Sequence, residues 1–277
     1  MRYPGGKTQL TPFVIELLRA NDLSQPVYCE PFAGGAGIGC RLLVTGMVSE
    51  IWINDIDPAI HACWDCVLNH TDALCELIAT TPITMQEWYR QRAIQSRTSA
   101  KTLALGFSTL FLNRTNRSGI LRGGVIGGKE QTGNYPLDCR FNRDALTQKI
   151  RRIALYRDQV RLHRMDARLY MRSVLKRLPA HALVNVDPPY YAAGPELYTN
   201  AYQHKDHVVL AKTVRAMPHR WMLTYDDAAE IRTLYAGMPQ YRKSLTYYAQ
   251  VKRSAAELLV LSSDLAPPAS LRISLAA

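Results

Sequence analysis

The sequence predicts an α/β protein whose parallel sheet is built from both ends of the chain and interrupted by a basic, mostly helical insertion. Three observations carry this. A strand at Val27–Phe32, a glycine turn, a helix over Ile38–Gly46 and a strand at Glu50–Asn54 make one β-turn-α-β unit. Helical patterns at Asp72–Ala79, Thr84–Gln95 and Lys101–Leu112 then follow with no clear strand between them. Strand-helix alternation returns at Val160.

Each element has a local reason. Pro58 suits the first turn of a helix, and Asp57 before it suits the N-cap. Residues 119–135 carry two Gly-Gly pairs around Val125-Ile126, the composition of a hairpin or an exposed loop. Asn142–Tyr156 resumes an amphipathic helical period. Strands are expected at Val160–Arg164, Ala182–Val186, Arg220–Thr224, Tyr241–Tyr247 and Leu258–Ser262. Helices are expected over Ala167–Lys176, His204–Ala216 and Asp227–Tyr235. These boundaries divide the chain into one domain from residues 1–69 and 142–277, and an insertion at 70–141.

Bulk properties narrow the class. With 277 residues, 47% of them hydrophobic, the chain can bury a core, which excludes wholesale disorder. No apolar run approaches the ~20 residues that span a bilayer. Met1-Arg2-Tyr3-Pro4-Gly5-Gly6-Lys7 has no signal-peptide pattern, so a cytoplasmic protein is expected. Cys29 and Cys40 read as small buried hydrophobes. Cys63 and Cys66 lack a second ligand pair at zinc spacing, so no metal is expected. The net charge is +11, and between Met85 and Val160 stand 14 Lys+Arg against 5 Asp+Glu. Such clustering points to a polyanionic partner, although charge alone does not separate DNA from RNA or acidic lipid.

Two segments carry the chemistry. Glu30-Pro31-Phe32-Ala33-Gly34-Gly35-Ala36-Gly37 follows a strand and opens a helix, so its glycines let backbone approach a ligand. A dinucleotide pyrophosphate does not suit Glu30. A carboxylate suits an ammonium group and an aromatic face suits adenine or a sulfonium, and S-adenosylmethionine has all three. Asp55, ending the second strand, suits ribose hydroxyls. Lys7 reads as a cation beside an active-site carboxylate or the cofactor's carboxylate; a phosphate loop needs an earlier glycine and a preceding strand. Asp187-Pro188-Pro189-Tyr190 follows a buried strand. Its prolines lock an extended turn and remove two donors, so carbonyls and a carboxylate converge on one amine. Tyr190 offers a face to a flipped base.

Together these segments resemble the Dam-type adenine-specific DNA methylases. Arg2-Tyr3-Pro4-Gly5-Gly6-Lys7, Glu30-Pro31-Phe32-Ala33-Gly34-Gly35, Asn54-Asp55 and Asp187-Pro188-Pro189-Tyr190 match that family's motifs in order. Phe111-Leu112-Asn113-Arg114 with Ser118-Gly119 resembles its target-recognition segment, and Asp206-His207 and Glu257-Leu258-Leu259 continue the likeness. The resemblance implies a Rossmann-like S-adenosylmethionine-dependent methyltransferase sheet with helices on both faces. It also implies a target-recognition insertion with a hairpin, N6 methylation of a flipped adenine in double-stranded DNA, and Asp187, Pro188, Pro189 and Tyr190 as catalytic. Tyr3, Lys7, Glu30, Phe32, Gly34, Gly37, Asp55, Asp166 and Asp187 are the expected cofactor site. Arg114, Asn116, Arg117, Ser118, Arg122 and Lys129 are the expected DNA contacts, with Arg122 the expected base reader. Arg117-Ser118 departs from the GATC-reading enzymes, so the recognition sequence stays open, as does a restriction or defence-system partner. Lys252 and Arg253 are further candidates for backbone contacts. The competing readings are methylation of cytosine N4 or of RNA adenine, and a DNA-binding protein without catalysis.

Overall fold

The computed structural model describes residues 6–97, 101–192, 202–248 and 252–269. Tyr3 lies outside the described residues. In chain order the first elements are helix α1 (Thr11–Ala20), strand β1 (Val27–Glu30), α2 (Gly37–Val44), β2 (Glu50–Asn54), α3 (Pro58–Asn69), α4 (Thr71–Thr80), α5 (Met85–Gln95), α6 (Thr102–Thr115) and α7 (Arg143–Ala154). Then come β3 (Val160–His163), α8 (Ala167–Ser173), β4 (Leu183–Val186), α9 (His204–Arg215), β5 (Arg220–Asp226), α10 (Ala229–Leu234), β6 (Gln240–Tyr248) and β7 (Lys252–Leu261). Contacts divide the chain into two compact units, one holding Ile56–Arg164, the other Lys7–Asp55 with Met165–Ala277. Among the described residues no helix is long and apolar enough to cross a membrane.

The second unit has the expected Rossmann-like form. Its strands run β2-β1-β4-β5-β7-β6. β1 pairs in parallel with β2 and β4, and β4 with β5. β7 lies antiparallel between β5 and β6. All four residues of β1 and of β4 are buried, as a sheet covered on both faces demands. Val27, Cys29, Val184, Val186 and Leu223 share one core with Tyr170, Leu210 and Ile231 of the helices α8, α9 and α10. The alternate residues point the other way; Tyr28 meets α2, where a Cβ on Gly39 would lie 3.4 Å from its ring.

Helix α1 has no counterpart in the sequence reading. Its signals were present: Pro12 in the first turn, and Phe13, Val14, Leu17 and Leu18 buried at helical spacing. The pattern is short and sits against the glycine-rich start of the chain, which reads as loop.

In the first unit, α3 crosses α6 so closely that a Cβ on Gly106 would stand 2.4 Å from Cys66 Sγ and 2.6 Å from the Ala62 carbonyl oxygen. A cavity of about 100 Å³ remains among α3, α6 and α7, lined by Cys63, Trp64, Leu110, Arg114, Leu146 and Ile150, among others. This compact unit is wider than the 70–141 segment expected from the order of strands and helices. That order marks where the strands stop and resume, whereas α3 and α7 join the unit through buried apolar faces that look like any core helix. Cys63 and Cys66 are buried free thiols in that packing. Among the described residues no group of three or more His, Cys, Asp or Glu side chains is placed to hold a metal ion.

The Gly106 crossing gives a direct test. Gly106→Ala is expected to destabilise the first unit by about 1–3 kcal/mol, because the overlap is with backbone as well as with Sγ. Urea unfolding followed by tryptophan fluorescence measures it, and an unchanged midpoint would refute the close crossing.

Candidate active site

The parallel order brings the carboxyl ends of β1, β2, β4 and β5 to one edge. The chain leaves β1 for β2 on one side and returns through β4 on the other, so the switch point lies between β1 and β4. Glu30, Asn54, Asp187 and Asp226 stand at or just beyond those four strand ends.

Asn54 is fully buried and joins two loops. Its Nδ2 donates to the Pro31 and Met165 carbonyls, each at 3.0 Å, and its Oδ1 accepts from Met165 N at 3.1 Å. Asp55 is half-buried and accepts from Gly34 N at 2.9 Å. Gly34 and Ala36 take positive φ, 47° and 40°, in the turn that opens α2. A Cβ on Gly37 would stand 2.4 Å from Thr8 Oγ1, so a larger residue there would have to displace the Thr8 hydroxyl. The partly buried Phe32 ring meets Tyr202 edge-on at 6.1 Å. Asp166 caps α8, accepting from Arg168 N at 2.9 Å and Leu169 N at 3.1 Å. Burial would raise its carboxyl, but the Arg168 guanidinium and these amides outweigh it and hold the group below its usual range.

Glu30 was expected to face an ammonium group. Its carboxylate is 5% exposed and accepts from Gly39 N at 3.0 Å, beneath the glycine turn. Burial, with the negative charge of Asp187 adding to it, pushes this carboxyl up to about 8. In the unfolded chain it titrates near 4.5, so folding takes up a proton between the two values. The stability it contributes is complete below about pH 4.5 and is lost as pH rises through about 8. Glu30→Gln is therefore expected to flatten the decline in stability between pH 5 and pH 8, read from urea midpoints across that range. An identical slope in the variant would contradict the burial.

Among the described residues, Asp187 emerges from β4 with its hydrogen bonds on one oxygen. Oδ1 accepts from Thr224 Oγ1 at 2.7 Å and from the Lys7 ammonium. The side chain is 27% exposed, and no described residue donates to Oδ2. Lys7 is buried and also lies 3.2 Å from Glu257 Oε2. Desolvation alone would lower its pKa; the Asp187 and Glu257 carboxylates overcome that and raise it, so the ammonium stays charged. Pro188 is buried and Pro189 half-buried. The Tyr190 ring, expected to be open to a base, is 7% exposed. Lys7 Nζ lies 4.7 Å from its centroid, and its hydroxyl donates to Glu257 Oε1 at 2.7 Å. The turn beyond is clamped by Asp226, which accepts from Tyr191 N at 2.8 Å and Ala192 N at 2.7 Å.

The fold thus gathers Lys7, Glu30, Phe32, Gly34, Gly37, Asp55, Asp166, Asp187 and Tyr190 in one unit. Thr224, Asp226 and Glu257 join them without having been singled out as site residues. Their signal is slight: Asp226 ends a strand, and Thr224 and Glu257 are single polar residues beside apolar runs within one. The glycine turn, the half-buried Asp55 carboxylate and the Phe32 ring fit a nucleoside ligand, and the carboxylates around them suit one that carries positive charge.

The expected DNA contacts belong to the first unit. Arg117, Ser118, Arg122 and Lys129 are exposed. Asn116 is 1% exposed and committed within the protein: Oδ1 accepts from Trp88 Nε1 at 2.7 Å, and Nδ2 donates to the Ile120 and Leu121 carbonyls, each at 2.9 Å. Arg114 is half-buried and lines the cavity. The segment that follows is a loop closed by one antiparallel bridge, Asn116 to Val125. Gln131 organises it, donating to the Ile126 carbonyl at 2.8 Å and accepting from Leu137 N at 2.9 Å.

The family model for D12 class N6 adenine-specific DNA methyltransferase matches residues 3–250. No curated protein sequence matches the chain. Among solved structures it is similar to the rRNA methyltransferase aviRa of Streptomyces viridochromogenes, at 13% identity and TM-score 0.42, covering 95% of this chain and 87% of that one. It is similar to TrmN of Thermus thermophilus at 12% identity and TM-score 0.40, covering 92% and 48%. It is also similar to the precorrin-6y C5,15-methyltransferase of Geobacter metallireducens at 10% and 0.39, covering 91% and 87%.

Proposed function

Because the chain belongs to the D12 class N6 adenine-specific DNA methyltransferase family, we propose that it methylates N6 of an adenine flipped out of double-stranded DNA. The cofactor is S-adenosylmethionine. When bound, it supplies an electrophilic methyl group. We assign Asp55, Phe32 and the turn from Gly34 to Gly37 to hold it, with Glu30 and Asn54 fixing the loops from beneath.

The observation that carries the reading is the one-sided bonding of Asp187. Adenine N6 is a poor nucleophile because its lone pair is delocalised into the ring. With Oδ1 tied to Lys7 and Thr224, Oδ2 accepts one amine hydrogen and the Pro188 carbonyl accepts the other. Two acceptors out of the ring plane favour a pyramidal nitrogen and return the lone pair to it. The same carboxylate stands beside N6 to take the proton that the methylated amine loses. Tyr190 serves chiefly as the fixed wall of this pocket, since its ring is buried and its hydroxyl is tied.

The exposed cations Arg117, Arg122 and Lys129 support DNA as the partner, with phosphate neutralisation their common role and base reading assigned to Arg122. Arg122→Ala is expected to relax sequence preference; an equal loss on every site would make Arg122 a phosphate contact instead. The decisive experiment incubates the purified chain with labelled S-adenosylmethionine and duplex DNA or RNA, then identifies the labelled nucleoside. N6-methyladenine from duplex DNA is expected. N4-methylcytosine, label in RNA alone, or no label would overturn the reading.

A further inference from the structure

Glu257 is 1% exposed on β7, within the sheet. The antiparallel register sets it opposite Asp226, and Leu259 opposite Thr224, so β7 delivers a carboxylate to the edge where Asp187 emerges. Its two oxygens have separate duties. Oε1 accepts the Tyr190 hydroxyl at 2.7 Å, and Oε2 lies 3.2 Å from Lys7 Nζ.

One ammonium is therefore shared by two carboxylates, and the aromatic ring beneath it is tied to one of them. Even when paired, a buried carboxylate gains little net stability over an apolar side chain of the same volume, so stability alone does not account for this arrangement. Its physical effect falls on Asp187. An ammonium held from two sides cannot swing to follow either partner. Its charge is also divided, so Asp187 is less fully neutralised than in a simple ion pair and stays a strong acceptor.

We propose that Glu257 is a positioning residue for methyl transfer. It holds Lys7 and the Tyr190 hydroxyl so that Asp187 presents Oδ2, undiminished, to the target amine. This rests on the assignment of Asp187 as the group that accepts the amine.

The test uses the full chain with S-adenosylmethionine and duplex DNA. Glu257→Gln keeps the shape and removes the charge. It is expected to lower kcat by about 10–100-fold while KM for S-adenosylmethionine and the Kd for DNA change by less than about threefold. Because Glu257 acts in part through Lys7, the double variant with Lys7→Met is expected to lose less than the product of the two single losses. Tyr190→Phe removes only the hydroxyl that Glu257 holds; it is expected to lower kcat by about fivefold at unchanged KM, and it gives a second reading should Glu257→Gln not fold. Unchanged kcat in the folded variants, a rise in KM alone, or additive losses in the double variant would overturn the proposal. An active wild type with an equally active Glu257→Gln variant overturns this proposal by itself; a wild type that methylates no adenine overturns the parent reading and this one together.

Discussion

Replacing Asp187 with alanine is expected to lower kcat by about 10³-fold or more, while binding of S-adenosylmethionine and of DNA changes by only a few fold. The size follows from the loss of an acceptor aimed at the reacting nitrogen, a group that matters most when charge develops there. Folding should largely survive. Removing one partner of a buried ion pair commonly costs about 3–5 kcal/mol because the other charge is left stranded. Here Lys7 keeps Glu257, 3.2 Å away, so the ammonium remains paired and the cost is smaller. Asp187→Asn tests the same point with shape preserved, since the amide supplies one neutral acceptor and a wrongly placed donor. Single-turnover methyl transfer on duplex DNA, with binding measured separately, distinguishes the outcomes. Near-normal turnover in either variant would remove Asp187 from the mechanism.

Asn54→Ala is expected to destabilise the second unit by about 2–4 kcal/mol and to weaken cofactor binding about tenfold. Asn54 is fully buried, and its amide satisfies the Pro31 carbonyl and both polar groups of Met165. Truncation leaves those groups without these partners, at about 1–3 kcal/mol for each that water cannot reach. The binding effect has a separate origin. Phe32 follows Pro31 and Asp166 follows Met165, so the amide sets the spacing of the two loops that flank the glycine turn. Urea unfolding gives the first quantity and calorimetric titration with S-adenosylmethionine the second. A loss below about 1 kcal/mol would mean that the loops hold themselves.

The candidate site is legible in the sequence where its chemistry is carried by short spacing. The tetrapeptide at Asp187 can be read because prolines constrain the backbone wherever they stand, and the segment from Glu30 to Gly37 because glycines do the same. Roles set by direction were less legible. A strand-end glutamate before a glycine turn reads equally well as facing a ligand or facing the core, and Glu30 faces the core. An asparagine between an arginine and a threonine in a basic stretch reads as a DNA contact, yet Asn116 spends its amide on Trp88, Ile120 and Leu121. The glycine pairs near residue 125 allowed a hairpin or a loop. Positive φ at Gly127 and Gly128 serves a loop, whose carbonyls are taken up by Gln131.

The sequence by itself determined the alternation of strands and helices, the order of the chemical segments and the basic character of the middle of the chain. Those follow from periodicity, backbone restriction and charge, which act over a few residues. Tertiary structure alone decided which polar groups meet. Lys7, Asp187, Thr224 and Glu257 are separated by as much as 250 positions, and only the sheet order brings them to one edge. An ion pair has no periodicity to announce it. Its strength depends on burial and distance; Glu257 comes within reach of Lys7 because β7 enters antiparallel between β5 and β6.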